Sequence, residues 1–139
     1  MEKQKPIFRI ETIEDAAAVF YTQVHLAGND EGLFVLPLGA SGEVLSAPVM
    51  VSLGHTKGTT KIRLGDIFAA VNRANGAAFI VAHNHPSGNL TPSAADHAFT
   101  AKLKDTAALL ETPQFLDHLI IGSSPEAGFI SLEELSDVV

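Results

Sequence analysis

The stretch of this chain best equipped for chemistry is Ala82-His83-Asn84-His85-Pro86-Ser87-Gly88-Asn89-Leu90-Thr91-Pro92-Ser93-Ala94-Ala95-Asp96. It begins where a run of apolar residues ends, and strand ends are where ligand sites collect in open α/β sheets. If extended backbone continues past Ala82, His83 and His85 point to the same side, because side chains alternate along a strand. Two imidazoles on one side can grip one metal ion, and Asp96 adds a carboxylate oxygen from the following helix. Two nitrogens, one carboxylate and an open fourth position match a catalytic zinc site; a structural site is usually closed by a fourth protein ligand, and none is evident. Ser93 and Asp96, three apart on a helix, share a face. The Ser93 hydroxyl can then donate to the charge that grows on a substrate carbonyl under attack.

Each part has a plainer use. Ser93-x-x-Asp96 ahead of an apolar helix is a capping box, Pro86-Ser87-Gly88 is turn chemistry, and an isolated His-x-His is common. Their combination at one strand end is what points to a metal site. Other zinc hydrolases with paired histidines fit less well. Metallo-β-lactamase-like enzymes carry Asp-His two residues beyond the second histidine, where this chain has Ser87-Gly88 after Pro86. Amidohydrolase barrels need roughly 250 residues. The nucleobase deaminases need a Pro-Cys-x-x-Cys element, and this chain has no cysteine.

The elements that must position these residues follow from hydrophobic spacing and turn chemistry. Thr12 is expected to cap a helix running to about His25, with Ile13, Ala16, Ala17 and Phe20 on one face, broken by Gly28-Asn29-Asp30. Leu33 to Leu38 reads as a strand and Gly39-Ala40-Ser41-Gly42 as a hairpin turn. Glu43 to Leu53 reads as a second strand region, in which Pro48 marks a bulge or edge. After a loop from Gly54 to Gly58, Leu64 to Asn75 is predicted as a helix burying Ile67, Phe68 and Val71 and stopped by Asn75-Gly76. Ala77 to Ala82 is a strand covered on both faces, and His83 to Thr91 a loop. Pro92 is placed as the first residue of a helix that turns Ala95, Phe99, Leu103, Ala107 and Leu110 inward and ends before Pro113. Asp117 to Gly122 and Phe129 to Ser131 are the remaining strands, and Ser131 is a candidate cap for a turn at Leu132 to Leu135. Mixed helices and strands imply a central sheet with helices packed on it; its strand order does not follow from these patterns.

Composition narrows the class of function. At 139 residues, 46% hydrophobic and 18% charged, the chain has the size and make-up of one globular domain. Without cysteine it has neither disulfides nor thiolate chemistry. The longest apolar run is far too short to span a bilayer, and Met-Glu-Lys-Gln-Lys-Pro leads into no signal-like segment, so a soluble, cytoplasmic protein without a membrane partner is expected. Nine Lys and Arg against sixteen Asp and Glu give −7. With only Lys57, Lys61 and Arg63 as a sparse basic group, this charge argues against direct nucleic-acid binding, which rests heavily on phosphate neutralisation.

Taken together, His83-x-His85-Pro86, six further residues and Ser93-x-x-Asp96 resemble the metalloprotease motif of JAB domains, also called MPN-plus or JAMM domains. The longer string His83-Asn84-His85-Pro86-Ser87-Gly88 with Pro92-Ser93 looks like the RadC-like branch, as do Asp117-His118-Leu119-Ile120-Ile121-Gly122 and Phe129-Ile130-Ser131 followed by Glu133. The likeness runs from about residue 8 to residue 134. It implies an α-β-α sandwich with a mixed central sheet, related to the cytidine deaminase fold. It also implies a zinc ion held by His83, His85 and Asp96, with a bound water. A glutamate at the start of the first core strand serves this family as general acid and base, and Glu31 occupies that position. Spacing alone does not choose Glu31 over Glu43, Asp30 or Asp66. The implied reaction is hydrolysis of an amide, peptide or isopeptide bond in a peptide or protein. A non-catalytic binding module and a DNA-repair-associated protein are the alternatives within this family. Two departures weaken the last: the 139 residues leave no room for the helix-hairpin-helix module of full-length relatives, and Gly65-Asp66 replaces the usual Arg-Glu pair before the motif. His25, His55 and His97 read as surface or loop residues. His118 reads as a structural histidine or, with Asp117, as an orienter of the site.

Overall fold

The computed structural model describes residues 8–54 and 63–134. Five strands, β1 (Glu31–Leu38), β2 (Val49–Gly54), β3 (Ala78–Asn84), β4 (Gln114–Ile121) and β5 (Phe129–Ser131), form one sheet in the order β2-β1-β3-β4-β5. Helix α1 (Ile13–Tyr21) precedes the sheet, α2 (Leu64–Arg73) joins β2 to β3, and α3 (Ala94–Leu110) joins β3 to β4. β3 and β4 are parallel, and the other neighbouring pairs are antiparallel. A parallel pair needs a crossover connection, and α3 supplies it.

Both faces of the sheet are covered, which is why its central strands are almost uninterruptedly apolar. On one face Phe34, Leu36, Leu38, Ile80 and Ala82 pack with Ile13, Ala16, Ala17 and Phe20 of α1. On the other, Leu33, Val35, Phe79 and Val81 pack with Ile67, Phe68 and Val71 of α2 and with Leu103 and Ala107 of α3. The result is the expected α/β sandwich, and its mixed sheet is consistent with a JAB domain.

The helix boundaries have local causes. Thr12 caps α1 in a capping box, its Oγ1 accepting Asp15 N–H at 3.3 Å while Asp15 Oδ2 accepts Thr12 N–H at 3.1 Å. α1 ends at Tyr21, short of His25, because the bonds tighten to i−3 at Thr22 and Gln23 and pass into a 3-10 turn over Val24–Ala27. At the end of α2, Asn75 takes a positive φ of 58°. Gly76 N–H bonds Val71 C=O and Asn75 N–H bonds Asn72 C=O, the Schellman stop expected of Asn75-Gly76.

Several expectations need correction. Glu43 and Val44 form only isolated bridges, to Arg9 and Leu38, and the strand proper starts after Pro48, which has no N–H for a ladder. β3 continues through His83 and Asn84, where a loop was expected, because β4 keeps pairing with it to Ile121. β4 begins at Gln114, ahead of Asp117. α3 starts at Ala94, with Ser93 rather than Pro92 at its threshold. Its buried stripe is Asp96, Thr100, Leu103 and Ala107, whereas Ala95 and Leu110 are exposed. Two polar residues turn the stripe away from the one that apolar residues alone define. Ser131 ends β5 and its hydroxyl bonds the Asp117 carboxylate; Leu132 and Glu133 form bends rather than a helical turn, and Leu135 lies outside the described residues. The loop expected from Gly54 to Gly58 lies, beyond Gly54 itself, outside the described residues, and so does Lys61.

Candidate metal centre

Strand register brings the first two groups together. Leu33 of β1 faces His83 of β3 across the antiparallel ladder. Two-residue alternation then puts Glu31, Leu33 and His83 on the sheet face that carries α2 and α3. Glu31 Oε2 lies 3.2 Å from His83 Nε2. His85 follows the end of β3 but remains anchored, its N–H donating to Ile121 C=O at 2.8 Å. The loop beyond it folds back at Gly88, where φ is +85°, a backbone conformation suited to glycine. Asn89 C=O thereby comes within 2.8 Å of His85 Nδ1.

Asp96 arrives from the first turn of α3. Ser93 Oγ accepts Asp96 N–H at 3.0 Å, and Asp96 Oδ2 accepts Ser93 N–H at 2.8 Å. This reciprocal box fixes the carboxylate and leaves the Ser93 hydroxyl its own proton to donate. Asp96 is buried, with Oδ1 at 3.1 Å from His83 Nδ1 and Oδ2 at 3.2 Å from His85 Nε2. Burial by itself would raise its pKa. The His83 hydrogen bond, the Ser93 N–H and the charge of both imidazoles outweigh that and hold the carboxyl far below the usual range.

The proton arithmetic of this cluster calls for doubly protonated imidazoles or a metal ion. Asn89 C=O accepts only, so His85 donates from Nδ1, and in the neutral ring Nε2 is a bare lone pair. That lone pair faces a carboxylate oxygen at 3.2 Å, a repulsive contact unless a proton or a metal ion lies between. His83 has a carboxylate oxygen at each nitrogen, and a neutral imidazole carries one N–H for the two. Ligand atoms of His83, His85 and Asp96 lie within 4.8 Å of one another. These three residues can hold a metal ion. Glu31, with 48% of its side chain exposed, stands at the solvent side of the cluster.

Behind it sits a buried polar layer in which His118 was a sequence candidate and Thr100 was not. Thr100 Oγ1 donates to Asp96 C=O at 2.9 Å, so it accepts from His118 Nδ1–H at 2.7 Å. His118 is fully buried on β4, its ring 5.5 Å from that of Phe99 and 6.4 Å from that of His83. Burial, then the nearby His83 charge, lowers its pKa to about 4, so it is neutral at neutral pH. Its other nitrogen has no hydrogen-bond partner among the described residues. Asp117 belongs to a different network: it accepts from His118 N–H, Ser131 Oγ and Glu133 N–H, tying the segment after β5 to β4. Burial raises its pKa in spite of these bonds. Thr100 could have been found from its spacing of four from Asp96, which puts both on one helix face. His25 and His97 are exposed, as expected.

A sequence model of the RadC-like JAB domain matches residues 10–137. The chain belongs to the RadC-like JAB domain family. It is similar to a UPF0758 protein of Haemophilus ducreyi, 36% identical over 118 residues, which are 84% of this chain and 50% of the relative. A UPF0758 protein of Chloroflexus aggregans is 44% identical over 84 residues, covering 60% and 34% of the two chains. One of Vibrio cholerae is 49% identical over 59 residues, covering 42% and 37%. The matched part of this chain thus spans about a third to a half of the length of these relatives. Among the described residues no helix is long and apolar enough to cross a membrane.

Proposed function

We propose that this RadC-like JAB domain is a zinc-dependent hydrolase of amide bonds in peptides or proteins. The observation that carries the reading is the convergence of His83, His85 and Asp96 with Glu31 beside them. Zinc suits the donor set. With zinc–nitrogen and zinc–oxygen distances of about 2.0–2.2 Å, two ligand atoms of a tetrahedral site stand roughly 3.3–3.5 Å apart. The 3.2 Å between His85 Nε2 and Asp96 Oδ2 is close to that edge. His83, His85 and Asp96 would hold the ion, and Nδ1–H of His85, held by Asn89 C=O, fixes the tautomer that offers Nε2.

When bound, the metal supplies Lewis-acid polarisation of the scissile carbonyl and activates water at neutral pH. The residues do the rest. Glu31 takes a proton from the attacking water at its carboxylate and delivers it to the leaving nitrogen. The Ser93 hydroxyl donates to the carbonyl oxygen as charge grows there. Its hold on Asp96 N–H is compatible with that role, because a hydroxyl accepts and donates at once.

The test is metal content together with amide cleavage. Purified protein is expected to hold one zinc per chain, and Asp96→Ala to hold none. Cleavage of a mixed peptide library is expected to stop with chelator, return with zinc, and fall by about 10²–10⁴-fold in Glu31→Gln. A wild-type protein that binds no divalent metal under any condition would end this reading.

A further inference from the structure

Between His83 and His85 stands a residue aimed at the opposite face of the sheet. Asn84 is buried, at 1% exposure, and its carboxamide reaches the backbone on both sides of Glu31. Oδ1 accepts Gly32 N–H at 2.6 Å, and Nδ2 donates to Asp30 C=O at 2.9 Å. The last Cα pair of the β1–β3 ladder is Leu33 with His83. The Asn84 side chain therefore ties the two strands beyond the point where the ladder stops. Space is tight there: a Cβ on Gly32 would come within 3.1 Å of Ala27 and of the Phe34 ring.

The three candidate ligands are anchored by other means. β3 pairs with β4 as far as Asn84 with Ile121, and His85 N–H is held by Ile121 C=O. Asp96 is held by Ser93 and, through its carbonyl, by Thr100. On the side of β1 that faces β3, the segment carrying Glu31 is held by Asn84.

We infer that Asn84 is the positioning residue for Glu31, clamping the backbone of residues 30 and 32 so that the Glu31 carboxylate stands beside His83. This rests on the reading of Glu31 as the proton carrier of a metal site. An apolar side chain at this position leaves the buried Gly32 N–H and the part-buried Asp30 C=O without these partners, and the segment, still paired with Gly54 and Leu53 of β2, shifts on its β3 side while the ligands stay. In a metal enzyme, then, Asn84 governs where the proton goes and not whether the metal binds.

The experiment uses the whole protein, with Co²⁺ as the probe and wild type compared with Asn84→Leu by NMR. Paramagnetic shifts fall steeply with distance from the ion, so the Glu31 side-chain carbons report their own displacement. The expected result is Co²⁺ affinity within about threefold of wild type, against the 10–100-fold loss typical of a ligand-supporting residue. The Glu31 paramagnetic shift is expected to lose most of its magnitude, while those of the Val81 and Thr100 methyl groups are retained. An unchanged Glu31 shift overturns the inference, and so does loss of Co²⁺ affinity, which would make Asn84 a support of the ligands. Asn84→Asp keeps the acceptor for Gly32 N–H but not the donor to Asp30, and is expected to lose part of the Glu31 shift; it carries the test should Asn84→Leu not fold. In metal-free protein, Gly32 amide exchange is expected to rise at least about tenfold relative to Val35 in Asn84→Leu, and no rise overturns the clamp. A wild-type protein that takes up no Co²⁺ sinks the metal reading alone, because the Gly32 exchange still decides the clamp.

Discussion

The buried His118 makes a claim about stability that needs no substrate. Its ring is fully buried, hydrogen-bonded to Thr100, and has its pKa lowered from 6.5 to about 4 by burial first and the His83 charge second. A group whose folded pKa is depressed binds its proton more readily in the unfolded chain. Stability is therefore complete above the unfolded value and is lost as pH falls from about 6.5 toward about 4. A difference of that size is worth about 3 kcal/mol, with a slope approaching about 1.4 kcal/mol per pH unit in the middle of the window. The assay is urea unfolding of metal-free protein at intervals from pH 7.5 to 4, for wild type and His118→Phe. The variant loses the bond to Thr100, so it is expected to be less stable at pH 7.5 by about 1–3 kcal/mol. It is also expected to lose stability more slowly on acidification, so that the two curves converge. Parallel curves between pH 6.5 and 4.5 would refute the reasoning, because another group would then be taking up the proton.

Ser93→Ala removes both the cap and the hydroxyl, and is expected to cost about 1 kcal/mol, or roughly 3–5 °C in Tm. Ser93→Gly is expected to cost only a few tenths of a kcal/mol yet to lose as much peptide cleavage. Equal Tm losses, or a Gly variant with wild-type cleavage, would show that cap and donor are not separable in this way. Thr100→Val leaves His118 Nδ1–H without its partner and is expected to cost about 1–3 kcal/mol by urea unfolding. Thr100→Ser, which keeps the hydroxyl, should recover most of that. Gly76→Ala is expected to destabilise by about 1–3 kcal/mol, since its Cβ would meet Val71 Cγ1 at 2.6 Å, and thermal unfolding reads this directly.

What was legible in the sequence is what local rules govern. The Thr12 and Asn75-Gly76 signals set one boundary each of α1 and α2, because caps depend on a few neighbouring residues. The apolar runs of β1 and β3 marked strands covered on both faces, and the helices that cover them complete the sandwich. The misplaced faces and ends share a different cause. Apolar spacing alone could not show that α3 turns Asp96 and Thr100 inward, because those two meet partners from elsewhere in the fold: His83 on β3, His85 just after it and His118 on β4. In the same way β3 outlasts its apolar run because Ile121 of β4 pairs with Asn84, a tertiary fact that no window of residues around Ala82 contains.

Glu31 shows most clearly where a sequence stops speaking. It lies more than fifty residues from His83 in the chain, and nothing in the spacing separates it from Glu43, Asp30 or Asp66. The antiparallel register with Leu33 opposite His83 puts Glu31 on the imidazole face, where its carboxylate lies 3.2 Å from His83 Nε2. The same register explains why the residue between the two histidines is not a spacer. On a pleated strand, any side chain between two that face a metal must face away from it. At the end of β3 that direction leads to the backbone carrying Glu31. A side chain with both a donor and an acceptor, of the length of Asn84, is suited to meet an N–H and a C=O there. One alternation through His83, Asn84 and His85 thus presents two imidazoles on one face and, on the other, a grip on the strand that carries the Glu31 carboxylate.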